Sequence, residues 1–189
     1  SSALDSLVHC VDSFGSTKKT AFSQIFSKEG FRRTFDTLLY KNLDEPASRI
    51  DLAIGSICGT TALMNSGDGP TNGFAYYFGV KDKIPHGLAG GIFLKEVMNW
   101  NYRNGYNEYA QLYSWDDSIS SKDMNKKLFG KIDVLYNKYN IPKLINYGYN
   151  NENSSEIAKE VSNALQGSFK GNPIPFNVKS AEEILNKLL

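Results

Sequence analysis

Asp44-Glu45-Pro46-Ala47-Ser48-Arg49-Ile50-Asp51-Leu52-Ala53-Ile54-Gly55-Ser56-Ile57-Cys58-Gly59-Thr60-Thr61-Ala62-Leu63 is the stretch on which the fold turns. Ile50, Ala53, Ile54, Ile57, Ala62 and Leu63 recur at helical spacing, and no strand-like alternation interrupts them. Asp44 stands where an N-cap belongs. Pro46 is tolerated just inside, because the N–H groups of a first turn lack helical partners anyway. Gly55, Ser56, Cys58 and Gly59 set small residues about one turn apart, which lets a neighbouring helix come close. Ser56, Thr60 and Thr61 are too polar for a membrane-embedded dimer seam.

The same period continues in both directions. Upstream, a first helix is expected from about Ala3 to Phe14. Leu4, Val8 and Val11 form one stripe on it, with Asp5, His9 and Asp12 on another. Thr20–Ser27 and Phe31–Leu39 read as a helical pair broken at Gly30. Downstream, residues 65–73 form a loop by composition, followed by the aromatic segment Phe74–Phe78 and a helix from His86 to about Trp100. Gly87, Gly90 and Gly91 leave that helix thin on one side, so another backbone can approach.

Ser120 or Ser121 opens a helix bearing Leu128, Ile132, Leu135 and Tyr139, which stops before Pro142. Asn153 with Glu156 starts another, ending near Gly167. An extended connector, Gly171-Asn172-Pro173-Ile174-Pro175, leads to a last helix whose expected capping box is Ser180 with Glu183. The predicted fold class is therefore all-α, a multi-helix single domain over residues 1–189 without repeats.

Composition narrows the function. With 21 Lys+Arg against 20 Asp+Glu, there is no cationic excess to bind nucleic acid or anionic lipid. The short basic runs (Lys18-Lys19, Arg32-Arg33, Lys126-Lys127) read as solvated helix faces. No stretch reaches the roughly 20 apolar residues that span a bilayer. Cys10 and Cys58 lie in apolar helical patterns, which fits free thiols and a cytoplasmic setting better than a disulfide framework. Both thiols lack a neighbouring base in sequence, so nucleophilic catalysis is not favoured. Ser1-Ser2-Ala3 has no signal-peptide character, and a cap at the first residue suggests part of a longer polypeptide.

The chain has two histidines, so any imidazole chemistry must use His9 and His86. Asp5 and His9 are spaced i, i+4 and share a helix face, with Cβ atoms about 5–6 Å apart. Alone, such a pair is more often a surface ion pair, and His86 has an equally plain reading as a helix-end core residue. Brought together, one carboxylate and two imidazoles make a divalent-metal site suited to Fe²⁺ or Zn²⁺. The glycines at 67–73 lack a preceding strand and a Gly-Lys-Ser/Thr, so a connector is preferred to a phosphate loop. The tryptophans, Tyr102, Tyr106, Tyr109 and Tyr113 read as packing.

Three motifs together carry a resemblance. Leu4-Asp5-Ser6-Leu7-Val8-His9-Cys10-Val11-Asp12-Ser13, Ala62-Leu63-Met64-Asn65-Ser66-Gly67 and Lys83-Ile84-Pro85-His86-Gly87-Leu88-Ala89, with the Asn172-Pro173-Ile174-Pro175 tail, are similar to the C-terminal helical domain of iron-containing (group III) alcohol dehydrogenases, of the dehydroquinate-synthase-like fold. The resemblance covers essentially the whole chain. It implies a two-domain oxidoreductase in which an N-terminal domain binds NAD or NADP and this domain supplies the metal. Asp5, His9 and His86 are then three of four expected ligands. Asn72 stands where the fourth, a histidine, is usual, and Tyr76 replaces a second histidine.

The expected function is hydride transfer between a small alcohol or aldehyde and nicotinamide, with the metal as Lewis acid and the chain alone inactive. Two alternatives stand beside it. One is a metal-free relic serving packing or homo-oligomerisation. The other is a sister enzyme of the same fold acting on polyols or sugars.

Overall fold

The computed structural model describes residues 1–113 and 118–189, and among these every regular element is helical. Trp115, one of the two tryptophans read as packing, lies outside the described residues.

The first helix, α1 (Ser2–Gly15), carries Leu7, Val8, Cys10, Val11 and Phe14 essentially out of solvent. Burying such side chains stabilises by about 1.5–3 kcal/mol each, which is why this helix sits inside the bundle. Next, α2 (Ala21–Tyr40) starts at a capping box in which Thr20 and Ser23 satisfy each other's backbone N–H. It runs unbroken through Gly30, correcting the expected pair of helices. A β-carbon at Gly30 would stand 2.8 Å from Cys10 Sγ, 3.0 Å from Cys58 Cβ and 3.1 Å from the Gly55 carbonyl. Glycine here serves close packing, not a break. The run Lys18-Lys19 falls in the link between α1 and α2, not on a helix.

The long helix predicted first is α3 (Pro46–Met64), with Pro46 in its first turn. Glu45, not Asp44, holds the N-cap position, and no side chain caps it. The Gly55–Gly59 segment does its predicted work: a β-carbon on Gly59 would come within 3.0 Å of the Ser6 carbonyl in α1. The expected loop at 65–73 is shorter. A new helix, α4 (Pro70–Asp82), starts at Pro70 and takes in the aromatic segment. Proline at the first helical position fits the rule that Pro46 obeys.

Helix α5 (His86–Arg103) is the spine. Ala89, Ile92, Phe93, Val97 and Trp100 face one apolar cluster, while Leu94 and Met98 face a second. In the first, Phe93 stacks on Phe74 (centroids 4.4 Å apart, planes 8° apart) and on Phe78 (5.0 Å, 30°). The second joins α1 and α2 to the short α6 (Ala110–Tyr113) and to α7 (Ser121–Lys138), capped by Ser120. Tyr109 is buried in this second core, where its hydroxyl accepts from Asn101 Nδ2 at 2.9 Å.

The chain closes with α8 (Ser154–Ala164), α9 (Gln166–Lys170) and α10 (Val178–Leu188). The helix expected to end near Gly167 is two, broken at Leu165. The last capping box is also shifted: Asn177 is the cap and Ser180 its partner, while Glu183 accepts the Trp100 indole N–H at 2.8 Å. Cys10 and Cys58 are both buried and free. Among the described residues, no helix is long and apolar enough to cross a membrane.

Candidate metal centre

Three helix beginnings meet at one point. Asp5 and His9 project from the N-terminal half of α1, His86 is the first residue of α5, and Asn72 lies in the first turn of α4. What lets α1 and α5 touch is the glycine face predicted from sequence. A β-carbon on Gly90 would meet Val8 at 2.9 Å, and one on Gly91 would meet Leu4 at 2.9 Å. The close approach of the two helices brings the widely separated sequence positions together.

Asp5 Oδ1 lies 3.6 Å from His9 Nε2 and 3.5 Å from His86 Nε2. One ligand atom from each of the three residues falls within 4.8 Å of the other two, the grouping of His, Cys, Asp and Glu side chains that could hold a metal among the described residues. Ligands about 2.0–2.1 Å from a tetrahedral ion are separated by about 3.3–3.4 Å, so the two carboxylate–imidazole distances are close to the edges of such a shell. Asp5 Oδ1 is also buried with no hydrogen-bond partner. A buried carboxylate oxygen without a donor is costly, and a cation between the imidazoles would satisfy it.

Burial holds His9 below its ordinary value of 6.5, with Asp5 pulling it up and His86 adding to the depression. The neutral imidazole, the form that ligates a metal, is thereby favoured. His86 Nε2 stands 3.0 Å from Asn72 Oδ1, and the Tyr76 ring lies against the His86 ring, centroids 4.7 Å apart. The centre is open on one side: the side chains of His86 and Asp5 keep 34% and 29% of their exposure, against 15% for His9.

Asp12 has a part in this site that sequence reasoning did not assign. It is buried on α1, and its Oδ2 accepts the backbone N–H of Asn72 at 2.8 Å. Burial pushes its carboxyl up to about 7, although the Asn72 N–H pulls the other way. One signal could have found it: Asp12 belongs to the polar stripe of Asp5 and His9.

The model for "Fe-containing alcohol dehydrogenase family, C-terminal" matches residues 1–189. The 4-hydroxybutyrate dehydrogenase of Clostridium kluyveri is 25% identical over 201 residues, covering 98% of this chain and 50% of that protein. Among solved structures, a 1,3-propanediol oxidoreductase superposes with a TM-score of 0.84 at 21% identity, covering 99% of this chain and 50% of the other. Sulfoacetaldehyde reductase from Bifidobacterium kashiwanohense, solved in complex with NAD+, gives 0.80 at 14% identity, covering 98% and 48%. The chain thus spans about half the length of the relatives it matches.

Proposed function

The chain belongs to the Fe-containing alcohol dehydrogenase family, as its C-terminal domain, and we propose that it holds the divalent metal of an NAD(P)-dependent dehydrogenase acting on a small alcohol or aldehyde. The observation that carries the reading is the convergence of Asp5, His9 and His86 on one point, with Asp5 Oδ1 buried and without a hydrogen-bond partner. A bound Fe²⁺ or Zn²⁺ supplies a Lewis acid for the substrate oxygen.

The remaining roles fall to the chain's own side chains. Asp5 contributes the negative charge that offsets the cation. His9, kept neutral by its burial, offers Nε2 without first losing a proton. His86 offers its Nε2 from the open side, where a substrate could reach. Tyr76, half-exposed against His86, bounds that approach. Hydride transfer needs a cofactor to accept the hydride, and three findings support an N-terminal domain that binds NAD or NADP as the partner of this one: the match to a C-terminal family model, the relatives' double length, and the NAD+ in the sulfoacetaldehyde reductase complex. The chain alone is therefore expected to be inactive with NAD or NADP and simple alcohols.

The 3.0 Å contact from His86 Nε2 to Asn72 favours a second reading. If Nε2 carries the hydrogen it donates to Asn72, and the cluster is a metal-free packing device. Elemental analysis of the purified protein beside His86→Ala separates the two. About one equivalent of Fe or Zn in the parent and a large loss in the variant support the metal centre. Equally low metal in both supports the packing device.

A further inference from the structure

Asn72 replaces an imidazole, yet it is neither turned away nor exposed. We propose that Asn72, through Oδ1, is the fourth donor of this centre, and that Asp12 is the positioning residue that puts it there. This rests on the metal-centre reading above.

The placement is built from the backbone up. Gly69 caps α4 without a side chain, so the first N–H groups of that helix need an acceptor from elsewhere. Asp12 supplies it from α1, binding the Asn72 N–H. The fit is close: a β-carbon on Gly69 would stand 2.8 Å from Asp12 Cγ. Asn72 is 2% exposed, so its amide is held in one place, with Oδ1 3.0 Å from the Nε2 of His86. The helix that bears Asp5 and His9 thus also clamps the turn that bears the fourth oxygen.

The donor set becomes two oxygens and two imidazole nitrogens. Imidazole suits zinc and iron, whereas carbonyl and carboxylate oxygens suit harder ions such as Mn²⁺. Exchanging one imidazole for an amide carbonyl narrows the preference for Zn²⁺ over Mn²⁺.

The test is titration of chelator-stripped purified protein with Zn²⁺ and Mn²⁺ by calorimetry, alongside the absorption spectrum of its Co²⁺ form. Asn72→Ala should weaken both ions and move the Co²⁺ bands. Asn72→His should raise the ratio of Zn²⁺ to Mn²⁺ affinity. Asn72→Asp, which keeps an oxygen in place, should bind at least as tightly as the parent, so loss confined to the Ala variant is not a folding defect. Asp12→Ala should cost about 10–100-fold in affinity and shift the same bands. Asp12→Asn, which keeps an acceptor oxygen for the Asn72 N–H, should restore both. Parent-like affinity and an unaltered Co²⁺ spectrum in Asn72→Ala would overturn the inference and leave Asp5, His9 and His86 as the centre. No uptake of any of the three ions by the parent protein would overturn the metal-centre reading itself.

Discussion

Gly87 stands directly against Asp5: a β-carbon on Gly87 would lie 2.9 Å from Asp5 Cβ and 2.3 Å from the carbonyl oxygen of Ser1. The residue after His86 therefore sets how near α5 can come to the start of α1, and with it the distance between carboxylate and imidazole. The Ser1 carbonyl is backbone and also accepts the Asp5 N–H at 3.1 Å, so it cannot swing aside as a side chain would. Gly87→Ala is expected to push the two helices apart, costing about 1–3 kcal/mol from overpacking and most of the metal affinity. Thermal unfolding and zinc titration of the variant check both. A variant that binds zinc like the parent would show that the centre does not depend on this contact.

Phe93 is the side chain on which the first core is stacked. Its truncation removes two ring contacts and leaves a void among Phe74 and Phe78. Phe93→Ala should cost about 3–5 kcal/mol. Ile57, on the outer face of α3, is 65% exposed, and Ile57→Ala should stay within about 0.5 kcal/mol. Chemical denaturation of the two variants against the parent measures the contrast, and comparable losses in both would refute the assignment of the core.

Two buried groups give the metal-free protein opposite pH dependences. His9 is depressed below 6.5. Between its folded value and 6.5 the unfolded chain binds a proton that the folded chain refuses. Its contribution to stability is thus fully present above 6.5 and is lost as pH falls through that window. Asp12 is raised from 3.8 to about 7. Over that interval the folded chain holds a proton that the unfolded chain has released, so stability from this group falls as pH rises. Denaturation of His9→Gln and Asp12→Asn at pH 4 to 8, each subtracted from the parent, isolates the two slopes. Difference curves of the same sign would contradict the assignment.

How much was legible in advance follows from which contacts are local. The period of Ile50, Ile54 and Ile57 identified α3 because a helix advertises itself within a few residues. The i, i+4 spacing of Asp5 and His9 marked half of the centre for the same reason. Gly30 misled because glycine lowers helix propensity locally, whereas its neighbours Cys10 and Gly55 come from other helices and override that preference. Glu183 was read as a capping partner of Ser180, but a tertiary partner, the Trp100 indole, claims it. Asp12 was visible only as a polar residue on a stripe. That it caps a helix elsewhere in the chain is a long-range fact that no local pattern encodes.

The most direct measurement is anomalous scattering from crystals of the zinc-loaded protein, recorded on both sides of the zinc edge. One peak is expected about 2.0–2.2 Å from Asp5 Oδ1, His9 Nε2 and His86 Nε2 together. Crystals that carry zinc elsewhere on the surface, with no peak between these three atoms, would contradict it.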